Sequence, residues 1–410
     1  VRSWYRSNVG GLPETYWYLW TGMLINKVGG FGVLFLSLYL VKSRGLDASG
    51  AGLIVGLAGI GGAAGSLTGG VLADRWGRRK TLLFCHAATG VTMLALAFVT
   101  VLPAIAVTTF LMGFFQAMAG PAMVAAIVDI VPEHDRQRAF NLHFWAFNLG
   151  VAAASLLAGM LAEAGFTLLF VLDGLATFLT LAVLALKVPE TMPARAREAT
   201  TGGLRTPLTD RTYMTFVGLT LLMAMAGAQS STILPLAMES DGLGPSAYGF
   251  VTAFAGALIV IGQLFVPKLI GRRSPSRVLA ASNIALAVGF GLVAGIDTVP
   301  FYLVAGFIWT SGSMLGAPPN AETIAGLSPE AMRARYQAVF YLVFPLAGFL
   351  APALGGFSLQ HLGSRHWIIV AALCVLAAAG HALTGPARER RIAELHEAEL
   401  INSVPVADHG

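Results

Sequence analysis

Gly70-Val71-Leu72-Ala73-Asp74-Arg75-Trp76-Gly77-Arg78-Arg79-Lys80 carries one acid and four bases within its last seven residues. From about 49 to 72 the chain holds no charge and many glycines, and from 81 to about 101 it is apolar again. A run of charges this dense is very costly inside hydrocarbon, where every polar group needs a partner. The stretch therefore reads as a short, wet loop between two membrane helices. Its glycines permit a tight turn and close helix approach, and its four bases mark the cytoplasmic side.

The rest of the chain agrees. It is 56% hydrophobic and 11% charged over 410 residues, with a mean hydropathy of +0.72, whereas a soluble domain carries roughly 25% charged residues. A helix crossing a bilayer needs about 20 mostly apolar residues. Twelve such spans are read near 15–40, 49–72, 81–101, 103–128, 140–162, 166–187, 213–236, 246–268, 277–296, 300–325, 337–359 and 366–384. The expected architecture is an all-α integral membrane protein: a six-helix half (1–187), a cytoplasmic linker (188–211), a second six-helix half (212–387) and a cytoplasmic tail (388–410). Of the 26 Lys and Arg residues, 22 fall on segments assigned inside and three (Lys42, Arg44, Arg365) outside, while Lys27 lies within a span. That asymmetry puts both termini in the cytoplasm. It also explains the net charge of +5 by topology, so no nucleic-acid partner is expected. Cys85 and Cys374 sit in apolar runs and suggest no disulfide framework. The chain opens on Val1 without a cleavable signal pattern, read as loss of a start Met. Its Arg-, Ala- and Gly-rich usage suggests a bacterial source.

An internal repeat supports the division into halves. Pro132-Glu133-x-x-Arg136-x-Arg138 recurs as Pro329-Glu330-x-x-Arg333-x-Arg335, and the same offset of 197 aligns Pro121 with Pro318 and Gly159 with Gly356. Transporter folds are built from such repeats, with the substrate site near the midplane between them. The second copy of the opening loop, Gly271-Arg272-Arg273, lacks the Asp-Arg pair.

The spacing G-x-x-x-D-R-x-G-R-R resembles the loop between helices two and three of the major facilitator superfamily of transporters. The resemblance implies gating roles for Gly70, Asp74, Arg75, Gly77, Arg78 and Arg79. It implies that Asp74 faces the start of helix eleven and that Arg78 pairs with Asp129 at the end of helix four, stabilising an outward-facing state. Within the superfamily the chain resembles the bacterial drug–proton antiporter branch in part. The helix-four pattern R-x-x-Q-G keeps Gln116 but has Gly113 for the Arg and Ala117 for the Gly. Gly348-Phe349-Leu350-Ala351-Pro352 through Gly356 looks like the antiporter helix-five motif moved to helix eleven.

Lys27 is the most informative single residue. It lies about 12 residues into the first span, roughly 18 Å deep, where an unpartnered cation costs a few kcal/mol or more. Asn26, Gly29 and Gly30 adjoin it, and Leu24 to Leu40 resembles helix one of bacterial exporters. It is read as a cavity residue binding substrate or tuning a proton site, with a structural cation as the alternative. Proton coupling needs a group that changes charge, usually a carboxylate in a dry cavity; Asp173 and Glu322 are the candidates, each also readable as a packing partner. His86 and His143 read as hydrogen-bonded structural groups. Trp145, Asn148, Gln229, Trp309, Asn320, Tyr341 and Phe344 complete a cavity suited to moderately apolar organic molecules.

No nucleotide-binding loop, metal cluster or nucleophile–base pair is present in the sequence. The reading is therefore not an enzyme but a cofactor-free secondary transporter of a bacterial inner membrane, acting as a monomer. It exports drug-like or small organic molecules against a proton gradient. Import or facilitated passage of a small organic anion is the alternative; a membrane sensor or enzyme is the third.

Overall fold

The computed structural model describes residues 10–192, 205–263, 265–271, 273–329 and 332–403. Arg272, Glu330, linker residues 193–204 and tail residues 404–410, all used in the sequence reading, lie outside them. The described residues are mostly helical, and none of them forms a strand. The long helices are α1 (Glu14–Val28), α2 (Gly32–Arg44), α3 (Ala48–Trp76), α4 (Arg78–Phe98), α5 (Leu102–Ile130), α6 (Glu133–Ala164) and α7 (Phe166–Lys187) in the first half. The second half holds α8 (Arg211–Thr232), α9 (Pro245–Gly262), α10 (Pro275–Leu292), α11 (Val299–Leu327), α12 (Val343–Leu362) and α13 (His366–Ser403). Among the described residues, eleven runs are long and apolar enough to cross a membrane, α1 and α2 counting as one. The last run, Arg335–Glu397, has 63 residues, more than twice what a bilayer needs, and it turns at Gly363–Arg365.

One expectation changes here. The first span is not one helix: Gly29 and Gly30 let it stop at Val28 and restart at Gly32, because adjacent glycines are poor helix formers. Beyond the last span, the segment from 388 begins as helix. α13 continues to Ser403, and Arg388 is buried, donating to Ser276 Oγ at 2.7 Å above the Phe216 ring.

Within the first half α3 packs on α5, and α4 packs on α5 and α7; within the second, α10 packs on α11 and α13. The halves meet through α3 against α12 and α6 against α9. Glycines set those distances. A Cβ at Gly52 would run into the Pro352 carbonyl, one at Gly59 would lie 2.5 Å from the Gly348 carbonyl carbon, and one at Gly249 would lie 2.5 Å from the Ser155 carbonyl. With no hydrophobic drive between helices in lipid, such backbone approach is a main source of cohesion.

The cores show how the halves are arranged. One apolar cluster unites Phe35, Leu38, Ala158 and Leu169 with Ile233, Tyr248, Phe290 and Trp367, so both halves share it. Toward the opposite end the cores separate. Tyr16, Ala73, Leu82 and Ile127 belong to a cluster of the first half, and Tyr213, Leu279, Ile324 and Phe340 to one of the second. Polar ties between the halves sit at the united end: Lys42 Nζ lies 2.7 Å from Glu239 Oε1, and the Gln360 side chain bonds both Asp47 Oδ2 (3.1 Å) and the Ser49 N–H (3.0 Å). The halves are joined at the Lys42 end and separate cores form at the Asp74 end.

Candidate functional site

The charged loop forms a compact network at the separated end. α3 stops at Trp76 because Gly77 takes φ +99°, a backbone region that L side chains avoid. A side chain there would also strike the Glu190 carboxylate. Arg78, at the start of α4, donates from Nε to Asp129 Oδ2 at 2.9 Å, and from Nη1 to the Ala73 carbonyl at 2.8 Å and Asp74 Oδ1 at 3.1 Å. Asp129 and Arg78 are mostly buried, whereas the Asp74 side chain is 71% exposed. Among the described residues Asp74 bonds Arg78 and nothing at the start of α12. Arg79 donates to the carbonyls of Val188 (2.8 Å) and Ala185 (2.7 Å), while Arg75 is exposed. Gly70 is not the close-packed glycine: a Cβ there would meet Pro121 at an ordinary 3.9 Å, whereas Gly69 abuts the Met118 backbone.

Glu190 was missed from the sequence. Its Oε1 accepts the N–H groups of Arg78 (2.8 Å) and Arg79 (3.4 Å), so a carboxylate caps the positive end of α4. An acid just after an apolar span was the available signal, but its partner lies 112 residues away.

The second cluster forms where the first span breaks. Asp173 of α7, 2% exposed, accepts the Gly32 N–H at 3.0 Å, which places a carboxylate on the N-terminal dipole of α2. Lys27 ends α1, where a cation suits the C-terminal dipole. Its Nζ stands 4.9 Å from the Phe147 ring centroid. Among the described residues no carboxylate lies within ion-pair distance of it. Space for the lysine comes from Gly150, where a Cβ would lie 2.5 Å from Lys27 Cβ. Asn26 Nδ2 reaches Thr177 Oγ1 at 3.4 Å, and Gly29 seats directly against Ala176. His86 Nδ1 donates to the Leu82 carbonyl at 2.8 Å. The opposed ends of a broken helix thus hold a cation and a carboxylate without pairing them directly, an arrangement that can change charge or take a ligand group.

The other candidates are dispersed. Trp309 does not line a cavity: it is 6% exposed and stacked on Phe290 at 5.2 Å inside the shared core. Asn320 Oδ1 accepts from the Thr220 hydroxyl at 3.3 Å and ties α11 to α8. Gln229 Nε2 donates to the Ala351 carbonyl at 3.2 Å, holding α8 to α12. Asn148 donates to the Phe144 carbonyl of its own helix. Gln116 is half-buried on α5, and Trp145, Glu322 and Tyr341 are exposed. Gly113, which stands where an antiporter arginine would, has its α-carbon against the Ala58 backbone of α3, so this position faces a helix and has no room for a long side chain.

Comparison with known proteins accords with this geometry. A profile described as Major Facilitator Superfamily matches residues 19–352 and 216–406. The chain is 26% identical to the uncharacterized MFS-type transporter YttB of Bacillus subtilis, over 96% of this chain and 100% of that protein. It is 23% identical to a Na(+), Li(+), K(+)/H(+) antiporter of Planococcus maritimus (78% of this chain, 83% of that one). It is 25% identical to the multidrug resistance protein MdtH of an Enterobacter strain (83% and 85%). The fold matches a POT family transporter in complex with 5-aminolevulinic acid at TM-score 0.79, with 13% identity over 93% of this chain and 97% of that one. A bacterial homologue of the lysosomal transporter Spinster matches at 0.75, with 14% identity over 93% and 99%. These relatives are transporters, not enzymes. On the breadth of the profile match, the chain belongs to the Major Facilitator Superfamily.

Proposed function

We propose that the protein is a proton-coupled secondary exporter of drug-like or small organic molecules, working by alternating access as a monomer in a bacterial cytoplasmic membrane. The observation that carries this reading is the Lys27–Asp173 cluster at the broken first span, an intramembrane cation and carboxylate held on opposed half-helix ends. Intramembrane charges of this kind usually serve ion or substrate pathways. The antiporter and multidrug names among the relatives support the same direction. Twelve spans follow if the 63-residue run is counted as two.

The basic loops set the Asp74 end in the cytoplasm. The halves are tied at the other end, so the arrangement corresponds to an inward-facing state. Asp74, which lacks a partner on the second half among the described residues, is then a group that re-engages when the cytoplasmic end closes. Closure would require the Lys42–Glu239 and Asp47–Gln360 ties to part. Protonation of Asp173 would remove the negative charge that faces the α2 terminus and Lys27, shifting the balance between two packings of the break. A group that binds N–H in one charge state and loosens in the other is suited to couple a proton to a helix movement. Lys27 itself favours a second reading, import or facilitated passage of an organic anion.

The test is pH inside proteoliposomes of purified protein, offered lipophilic drugs and small organic anions, with Lys27→Ala beside wild type. Substrate-triggered proton movement, lost in the variant, is expected. Substrate flux without proton movement refutes antiport and leaves the facilitator.

A further inference from the structure

At the loop end of the first half, a cleft of about 540 Å³ lies between the Trp76–Lys80 turn and the end of α7. Arg79, Lys80 and Lys187 line it, with Trp76, Leu186 and Glu190. Lys80 and Lys187 are exposed, and among the described residues neither they nor Arg79 pair with a carboxylate. The one acid in the cleft, Glu190, is already committed: its Oε1 accepts the N–H groups of Arg78, Arg79, Thr191 and Met192. The cleft therefore keeps a surplus of positive charge. Lys187 is held against the Tyr18 ring at 5.6 Å, and Arg79 is pinned by two backbone carbonyls, so two of the three cations are positioned by other contacts. Beside them stands unpaired apolar surface: Trp76 is 51% and Leu186 81% exposed, and Phe84, packed edge-on against Trp76, is 43% exposed. Cations above an apolar, Trp-bearing shelf at the end of a membrane span match the two chemistries of a phospholipid, phosphate above and acyl chain below.

We infer that this cleft is a binding site for the phosphate head group of an anionic phospholipid. The inference stands apart from the direction of transport and from the Lys27 cluster. Each lysine near a membrane surface strengthens anionic-lipid binding about fivefold.

Native mass spectrometry of the purified chain, titrated with phosphatidylglycerol or with phosphatidylcholine of the same acyl chains, tests it. Phosphatidylglycerol should be retained preferentially at one saturable site. Lys80→Gln with Lys187→Gln should weaken that retention roughly twenty-five-fold, and Lys80→Arg with Lys187→Arg should restore it. Arg390→Gln with Arg391→Gln, which removes two exposed cations from the α13 end, should leave retention unchanged. Glycerol 1-phosphate should fail to compete, because it lacks the acyl chain. Equal retention of the two lipids, equal loss in the Arg390/Arg391 control, or full competition by glycerol 1-phosphate would each overturn the assignment. Thermal melting without lipid, unchanged in the exposed lysine variants, separates lost binding from lost fold.

Discussion

Replacing Asp173 separates two roles that a single carboxylate performs. In Asp173→Ala the Gly32 N–H, bonded at 3.0 Å by a side chain 2% exposed, loses its acceptor in a place that water does not reach. A hydrogen bond to a charged group contributes about 1.5–3 kcal/mol, and a buried donor left unmade costs a similar amount. Lys27 also loses the charge that faces it. A loss of roughly 2–4 kcal/mol is therefore expected, seen as a thermal midpoint in detergent lowered by several degrees. Asp173→Asn keeps an oxygen that can accept the Gly32 N–H and removes only the ionisable charge. It should melt between the Ala variant and wild type, reach the membrane normally, and carry substrate without moving protons in the proteoliposome assay. Equal stability of wild type and the Ala variant would refute the capping role. A fully active, proton-coupled Asn variant would refute the coupling role and leave Asp173 a structural cap.

Arg78→Ala leaves Asp129, whose side chain is 11% exposed, without its partner. Removing one member of a buried pair costs about 3 kcal/mol or more, so a lower melting midpoint and reduced yield are expected, partly relieved by adding Asp129→Asn. The two neighbouring glycine types should behave oppositely: Gly65→Ala drives a methyl group into the Phe114 carbonyl and should abolish folded protein, whereas Gly70→Ala meets only Pro121 at 3.9 Å and should express normally on a gel-filtration trace. Cysteines at Lys42 and Glu239, whose charged ends lie 2.7 Å apart, should be bridged by a short bifunctional reagent and lose transport, with recovery on cleaving the bridge. Continued transport with the bridge in place would show that this end need not open.

The membrane fold was written locally. Charge excluded from hydrocarbon leaves spans and loops visible in composition, because each span must satisfy its own backbone. The Arg78–Asp129 pairing was implied by resemblance, since a short motif with fixed loop geometry carries its partners along. The break after Val28 was foreshadowed by Gly29-Gly30, yet two glycines within a span equally suit close packing, and only α7 standing alongside with Asp173 decides between them. Trp309 was misplaced for a similar reason: an aromatic residue at mid-depth in a span looks the same whether it faces a cavity or stacks on Phe290. Glu190 and Gly150 act on residues more than a hundred positions away, through a cap and a vacated volume. What the sequence determined alone was which segments enter lipid and which stay wet, because hydrophobic transfer acts on each segment separately. Which side chains meet at the broken helix, and at which end the halves join, depended on packing between distant helices, where shape and not composition decides.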